Sequence, residues 1–417
     1  MRPQAGRERK SVVSRRAVFG VFVVALVVRA GIFTLPHREG DERLYVALLE
    51  QVRGGKGYTL AGHPILSQDW MIAEQYASPL FYHPPGGLAW FALFTTLFGE
   101  RGLDLSELAA FAMFYAATLA LARDTLPSSH SITSVAVATL AAFTPIVAHV
   151  SMHRWLDGPQ VAAVALCAWL TVRAARSGSV GMGVAAGAAL GAAMLVKLNA
   201  VIAVPGMAML AWIAAPDRTA REKLRTLAIA GGVATACVVP WLIAELRVFG
   251  TVFPVWAGKP SARLVAQNPF IHQVTAVRTP WAYLRLLPQS VWTLVPSLLT
   301  LAVSRPAPRT RRLAAALTVW IAVVTAVNIA LGAAGYSKLL RYLVLTTPAT
   351  VVLFGLAATE VARLLATAAK GTPRRAGAFL LASVLFSGFV LEVAQGVTTI
   401  RVYPDRAWIR PLMGDPR

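Results

Sequence analysis

Charged residues are scarce in this chain of 417 residues, and acidic residues are the scarcer kind. Asp and Glu number 19 against 40 Lys and Arg, and charged residues make up 14% of the sequence. Soluble proteins average about 25% charged residues. Hydrophobic residues reach 56% and the mean hydropathy is +0.59. The composition therefore excludes an ordinary soluble domain and indicates a polytopic membrane protein.

Cysteine and short catalytic motifs are nearly absent as well. Cys167 and Cys237, the two cysteines, both lie inside apolar runs, which argues against a disulfide framework or a zinc site. The sequence contains no Gly-rich phosphate loop, HExxH, CxxC or GxSxG, so nucleotide hydrolysis, zinc proteolysis and serine-type acyl transfer are not indicated. We find no inverted repeat with matched broken segments, which argues against a secondary transporter.

The net charge of +21 comes from Lys and Arg in short clusters between apolar runs. A nucleic-acid-binding domain instead carries its basic residues on one folded face, so no nucleic-acid partner is expected. Basic clusters between apolar segments are typical of the cytoplasmic loops of membrane proteins.

Apolar segments of near-spanning length follow one another along the chain. The first, residues 17–35, has no small-x-small cleavage site after it and is interpreted as a retained transmembrane helix. The others cover residues 83–98, 105–122, 131–150, 155–172, 180–196, 201–215, 224–249, 287–303, 313–331, 342–365 and 376–397. We expect one transmembrane domain over residues 1–400, an all-α bundle of about 11–12 helices, and a short tail over 401–417.

Two longer polar intervals, residues 37–82 and 250–286, are the candidates for functional loops. Basic loops near Arg221, Arg309 and Arg374 should be cytoplasmic, which places both intervals on the opposite side of the membrane. The N-terminal tail agrees with those loops only if an odd number of segments cross. We expect residues 83–98, which open with "HPPGG", to form a broken or partly re-entrant element.

Asp41 and Glu42 stand side by side just beyond the first apolar segment. A carboxylate pair at a low-dielectric boundary binds a divalent cation or acts as a general base. The alternative is that both acids start a helix, where the dipole favours them. Leu44, Ala47, Leu48 and Val52 follow at helical spacing, which predicts an amphipathic interfacial helix.

Four more polar residues stand near the ends of apolar segments, and each has two interpretations. Asp157 either caps a helix before Pro159 or shares a site with Asp41. Lys197 and Arg341 either extend to the interface or bind a phosphate group. His83 is either a structural interfacial histidine or part of the same outer site.

The order of these features resembles the bacterial GT-C glycosyltransferases. The resemblance rests on "GDERLYVALLEQVRGGKGY", "YHPPGGLAWFALFTTLFG", "SMHRWLDGPQVAAVALCAWLTVRAARSG", "GVAAGAALGAAMLVKLNAVIAVPGMAML" and "LLRYLVLTTPATVVLFG", in that order. The chain is similar to the group that includes lipopolysaccharide core galacturonosyltransferases, lipid A aminoarabinose transferases and protein mannosyltransferases. The motifs cover most of the first half and one late helix.

The resemblance implies roles for the residues already singled out. Asp41 would be the catalytic carboxylate and Glu42 its companion, and Asp157 would share the site. Asp41 and Asp157 would also be the ligands of a divalent metal ion, if one is used.

On the same resemblance, Lys197 and Arg341 would hold the phosphate of a polyprenyl-phosphate sugar donor, and His83 would lie beside them. The expected activity is inverting sugar transfer to an extracytoplasmic lipid, glycan or protein, in the cytoplasmic membrane of the bacterial cell envelope. The alternative is a non-enzymatic transporter or assembly partner for lipid-linked glycans.

Overall fold

The computed structural model describes residues 3–33, 40–67, 76–126, 131–252, 281–334, 340–369 and 371–401. The regular structure in these ranges is helical. Its α-helices are α1 (Pro3–Ile32), α2 (Gly40–Arg53), α3 (Gly86–Phe98), α4 (Gly102–Thr125), α5 (Ser131–Phe143), α6 (Pro145–Val150), α7 (Asp157–Ser177), α8 (Val180–Val196), α9 (Val204–Ala214), α10 (Ala220–Phe249), α11 (Ala282–Ser290), α12 (Leu294–Ser304), α13 (Pro308–Ala333), α14 (Thr347–Thr367) and α15 (Pro373–Arg401).

Many of these helices are apolar enough for a membrane. In the described part of the chain, six helical stretches are long and apolar enough to cross one, and four apolar helices are shorter. The prediction of an all-α polytopic membrane protein is confirmed. The predicted second loop and tail fall largely on residues 253–280 and 402–417, which lie outside the described ranges.

Helices α3 and α4 fold back on each other. Helical structure is continuous from Gly86 to Thr125, but Gly99 has φ 62° and ψ −148°, which interrupts the α-helix. The indole Nε1 of Trp90 donates to the carbonyl of Ser106 at 3.1 Å, a contact that a straight helix does not allow. With 13 residues, α3 is about 20 Å long, shorter than the ~30 Å hydrocarbon core. The partial crossing expected for residues 83–98 stays a prediction.

Helices α7 and α14 form the centre of the bundle. Of the apolar window in each helix, 78% is buried in α7 and 83% in α14, against 22% in both α10 and α15. Helix α7 packs against α4, α8 and α9, and α14 packs against α5, α12 and α13. Asp157 is the first residue of α7 and Arg341 precedes α14, so both candidate residues lie at ends of the most enclosed helices.

Helix α2 packs against the protein through the face that the sequence predicted. Leu44, Ala47 and Leu48 are buried, whereas Val52 is 40% exposed. Their neighbours in this apolar cluster include Phe91 of α3. The cluster fixes the rotation of α2 about its axis and hence the directions of the two acids in its first turn.

Charged side chains inside the bundle join helices to one another. Arg29 of α1 donates to Ser151 Oγ and to the carbonyl of Ala142, each at 2.7 Å. Glu392 of α15 accepts from Thr144 and Thr293 at 2.8 and 2.7 Å. Buried charges in a membrane protein need such partners. Through Ser151, Arg29 anchors the turn of residues 151–156 that leads into α7.

Candidate active site

Four side chains from distant parts of the chain meet at one place. Asp41 is in the first turn of α2, Asp157 starts α7, Lys197 follows α8, and Arg341 lies in the 3₁₀ turn Leu340–Thr346 before α14. Their charged groups form a row of alternating sign from Asp41 through Arg341 and Asp157 to Lys197. The structure therefore brings together four of the six residues that the sequence singled out.

Lys197 and Asp157 form a buried ion pair. Lys197 Nζ lies 2.8 Å from Asp157 Oδ2, and their side chains are only 8% and 2% exposed. Lys197 has an extended backbone, with φ −152°, between α8 and the next 3₁₀ turn. Gln160, one turn after Asp157, donates to the Lys197 carbonyl at 3.1 Å and to Asn199 at 2.5 Å. Gln160 therefore holds the break in the helix that carries Lys197.

Arg341 connects the two carboxylates. Its Nη2 donates to Asp41 Oδ2 at 2.5 Å, and its Nε lies 3.9 Å from Asp157 Oδ2. The longer distance is an ion pair but not a hydrogen bond, and among the described residues the buried Nε has no hydrogen-bond partner. The guanidinium also lies 4.4 Å from the centre of the Trp155 ring. Arg341 is therefore held by a hydrogen bond to Asp41 and by the charge of Asp157.

Exposure distinguishes the four residues. The side chain of Asp41 is 36% exposed and that of Arg341 is 13% exposed, so Asp41 is the accessible acid of the group. Burial raises the pKa of Asp41, but the charges of Arg341 and Lys197 outweigh it, and the net pKa is lowered below its ordinary value. Asp41 is therefore an ionised carboxylate that a ligand can reach.

His83 lies at the edge of this group, among aromatic rings. Its ring is 4.2 Å from that of Tyr82 and 6.4 Å from that of Tyr45. Burial, assisted by the charge of Lys197, lowers the pKa of His83 to about 3, so its imidazole is neutral near pH 7. Tyr58 donates to the carbonyl of His83 at 2.9 Å, which fixes the backbone there.

Glu42 points away from Asp41. It is 2% exposed, and its Oε1 lies 2.9 Å from His153 Nδ1. Successive residues of a helix point about 100° apart, so two adjacent acids cannot face the same group from the first turn of α2. Glu42 therefore pairs with His153 and does not join the group formed by Asp41, Arg341, Asp157 and Lys197.

Sequence reasoning missed three residues around the site: His153, Trp155 and Gln160. All three are buried and lie in or next to the stretch "SMHRWLDGPQ", from which only Asp157 was chosen. The sequence feature that could have identified them is the high density of polar and aromatic residues at the start of an otherwise apolar segment. Which of them faces Arg341 depends on the turn of residues 151–156, which sequence spacing does not specify.

The predicted divalent cation does not fit the described side chains well. No group of three or more His, Cys, Asp or Glu in the described ranges is arranged to hold a metal ion. Asp41 and Asp157 are instead neutralised by Arg341 and Lys197. The metal at Asp41 and Asp157 stays a prediction.

Residues 82–243 match the family model "Dolichyl-phosphate-mannose-protein mannosyltransferase". The matched region contains three of the candidate site residues, His83, Asp157 and Lys197. No curated protein sequence matches the chain significantly.

Three solved structures, from two organisms, illustrate the likeness in fold. ArnT from Cupriavidus metallidurans, in a crystal structure bound to undecaprenyl phosphate, is 18% identical with a TM-score of 0.52; the match covers 97% of this chain and 74% of ArnT. The oligosaccharyltransferase AglB from Archaeoglobus fulgidus, in complex with an inhibitory peptide and a dolichol-phosphate, is 15% identical with a TM-score of 0.58 and coverages of 91% and 56%. A further structure of the A. fulgidus enzyme, tethered to an acceptor peptide, is 14% identical with a TM-score of 0.57 and coverages of 91% and 55%.

These comparisons define the class of the fold. The chain spans nearly three quarters of ArnT and little more than half of the archaeal oligosaccharyltransferase. At such identities the likeness concerns the fold. The chain has the GT-C membrane fold that its sequence predicted.

Proposed function

We propose that the chain is an inverting glycosyltransferase that moves a sugar from a polyprenyl-phosphate donor to an acceptor outside the cytoplasm. One observation carries the proposal: Asp41, an accessible carboxylate, is paired with the enclosed cation Arg341, and a second enclosed cation, Lys197, lies beyond Asp157 in the same row. Displacement of a phosphate by a hydroxyl needs these two elements, a base for the nucleophile and positive charge for the leaving group.

The reaction follows from this arrangement. The acceptor hydroxyl loses its proton to Asp41 while its oxygen attacks the anomeric carbon from the face opposite the phosphate. The new carbon–oxygen bond forms as the bond from the anomeric carbon to the phosphate oxygen breaks. The electron pair of that bond leaves with the polyprenyl phosphate, whose growing negative charge is stabilised by Arg341 and Lys197.

Arg341 has the geometry for the leaving group. Its planar fork of donors suits a phosphate, to which arginine often donates two parallel hydrogen bonds. Lys197 adds a second positive charge on the far side of Asp157. Because Asp157 is buried between the two cations, it offsets their repulsion and keeps both in place when no donor is bound.

The comparisons support a polyprenyl-phosphate donor. ArnT was crystallised with undecaprenyl phosphate and AglB with a dolichol-phosphate, and the matching family is described by a dolichyl-phosphate-mannose donor. For this chain the donor and a lipid, glycan or protein acceptor are proposals. So are the cytoplasmic membrane as its location and an outward-facing site.

The test uses the purified full chain in proteoliposomes with radiolabelled polyprenyl-phosphate sugars and a membrane extract as acceptor. We expect label in the acceptor and release of polyprenyl phosphate. Glu100→Gln, which changes a carboxylate that is exposed on the turn between α3 and α4, is the control and should transfer normally. Movement of the intact labelled donor across the bilayer without release of polyprenyl phosphate would favour the transporter alternative instead.

A further inference from the structure

A row of stacked side chains leads from Glu42 to Arg341. Glu42 Oε1 lies 2.9 Å from His153 Nδ1. The His153 ring stacks on the Trp155 ring, with 4.0 Å between centres and 11° between planes. Trp155 lies against the Arg341 guanidinium, which is 4.4 Å from the ring centre. Three elements, α2, the turn of residues 151–156 and the 3₁₀ turn before α14, are thereby joined at Arg341.

The two adjacent acids of α2 therefore reach the same arginine by different routes. Asp41 binds the Arg341 guanidinium directly. Glu42 reaches it through His153 and Trp155. The inner part of this row is enclosed, with Glu42 2%, His153 1% and Trp155 6% exposed. Side chains held at this depth have few alternative rotamers, because close packing excludes them.

The surroundings of the row hold the aromatic pair in place. His149 packs edge-on against both rings, at 4.8 Å from His153 and 4.9 Å from Trp155. Arg154, between them in sequence, is bound to Asp104 of α4 at 2.8 Å, and Ser151 is bound to Arg29. The turn that carries His153 and Trp155 is thus anchored on both α1 and α4.

Arg341 gains an orientation from this support. A guanidinium lying on an indole face has its plane defined by the ring. Asp41 binds only Nη2, which by itself leaves the plane of the guanidinium free to turn. The Trp155 ring, whose centre is 4.4 Å from the guanidinium, restricts that rotation, so that the donors of Arg341 keep one direction.

We propose that Glu42, His153 and Trp155 are positioning residues that set the plane of the Arg341 guanidinium for the phosphate of the donor. The inference rests on the proposed function, since it assigns Arg341 to that phosphate. Glu42 then acts through His153 and Trp155 rather than on the reacting atoms. Of the two adjacent acids, Asp41 then acts on the acceptor, and Glu42 sets the geometry of the leaving-group site.

The test is a double-mutant cycle, because coupling between two residues appears as a departure from additivity. The variants are His153→Ala, Arg341→Lys and the double variant, each assayed for polyprenyl phosphate binding and for transfer. We expect His153→Ala to weaken binding and to raise the donor KM by about tenfold, with a smaller effect on kcat. In the Arg341→Lys background, which lacks the planar group, the same change should alter binding less than about twofold.

Three further variants separate positioning from folding. Trp155→Phe retains an aromatic face and should bind polyprenyl phosphate nearly as the wild type does, whereas Trp155→Leu should resemble His153→Ala. Glu42→Gln retains a hydrogen-bond acceptor for His153 and should show a mild defect. Glu50→Gln is the matched control on the same helix, since the Glu50 side chain is 66% exposed and should have no effect.

The outcomes for the two proposals differ. If His153→Ala weakened polyprenyl phosphate binding equally in the wild type and in Arg341→Lys, His153 would have a general structural role, and the positioning proposal would be overturned. Coupled binding defects in a protein that transfers no sugar would retain the positioning of Arg341 and overturn the transferase. A wild-type protein that does not bind polyprenyl phosphate would contradict both.

Discussion

The position of one residue, Asp157, explains why the site is stable when no substrate is bound. It is 2% exposed, lies 2.8 Å from Lys197, and is 3.9 Å from Arg341. Burying one carboxylate costs several kcal/mol unless it is paired. Two cations close together would repel each other to a similar degree. The arrangement places the anion between them, so each charge offsets the cost of the others.

Removal of Lys197 alone should therefore lower the stability of the fold, whereas removal of both Lys197 and Asp157 should lower only the transfer activity. Lys197→Met leaves Asp157 buried without its closest cation, and we expect a loss of about 3–5 kcal/mol in stability. The double variant Asp157→Asn with Lys197→Met should recover most of that stability, measured by thermal unfolding in detergent. Its transfer activity should stay below about 1% of wild type.

Recovered activity in that double variant would show that Lys197 supports the fold and not the reaction. Lys197→Arg is the matched control. It retains the charge and should retain more activity than Lys197→Met.

The lowered pKa of Asp41 predicts how activity depends on pH. The positive charge of Arg341 keeps Asp41 ionised, so kcat/KM should show no loss from Asp41 protonation between about pH 7 and about pH 5. In Arg341→Gln the largest opposing charge is gone, Lys197 offsets the effect of burial only in part, and the acid limb of kcat/KM should move to higher pH. Initial rates of sugar transfer, measured over the same pH range for the wild type and for Arg341→Gln, test this prediction. An acid limb at the same pH in both proteins would contradict the assignment.

Sequence order was enough to choose Asp41, Asp157, Lys197 and Arg341, but not to assign Glu42. The four residues stand at ends of apolar segments that the sequence assigns to one side of the membrane, and such ends are close together in a bundle. The direction of Glu42 depends on how α2 rotates against its apolar cluster. That rotation is set by tertiary packing of residues such as Leu48 and Phe91, which no local pattern contains.

Interruptions in helices are the elements that build the site. Lys197 follows the end of α8, Arg341 lies in a 3₁₀ turn before α14, and Asp157 follows an irregular turn. Irregular backbone at membrane depth is tolerated where protein encloses it, and these breaks adjoin the most buried helices. Apolar length predicted the helices themselves. It did not predict the separation of α5 from α6 at Thr144, where Pro145 starts a new helix.

The paired glycines at the start of α3 have a packing role in this arrangement. A Cβ at Gly86 would lie 2.7 Å from the backbone of Leu195, and one at Gly87 would lie 2.3 Å from Leu156 Cδ2. Leu195 precedes Lys197 by two residues, and Leu156 directly precedes Asp157. The two glycines thus allow α3 to approach the segments that carry the site.

Substitution of Gly86 should consequently move Lys197. We expect Gly86→Ala to lower both thermal stability and polyprenyl phosphate affinity, the former by about 1–3 kcal/mol as for other overpacked sites. Gly231→Ala in α10, where a Cβ meets nothing within 4 Å, is the matched helical control and should be neutral or slightly stabilising. Wild-type behaviour of Gly86→Ala in both measurements would exclude this packing role.

At the scale of the whole molecule, the basic residues and the candidate site should lie on opposite faces. The net charge of +21 is concentrated in loops that the positive-inside rule assigns to the cytoplasm. Arg221 is in the first turn of α10, beside one of these loops, and Lys56 lies just beyond the C-terminal end of α2, in the first predicted outer loop; both residues are exposed. On this assignment the apolar bundle separates the two regions.

Cysteine labelling in intact cells tests this orientation. With Cys167 and Cys237 replaced by serine, Lys56→Cys should react with a membrane-impermeant maleimide in intact cells. Arg221→Cys should react only after permeabilisation. The reverse pattern would place the site on the cytoplasmic side and contradict the proposed acceptor.

The proposed reaction requires that Asp41 act as the base and that Arg341 and Lys197 bind the phosphate. Asp41→Asn is the most direct test, because it removes the base but leaves Lys197 and Arg341 in place. In proteoliposomes, this variant should bind polyprenyl phosphate at least as well as wild type, since the competing carboxylate is gone. It should transfer sugar at least about 100-fold more slowly in a single turnover. Unchanged transfer by the folded variant, or transfer and binding lost together, would contradict the account.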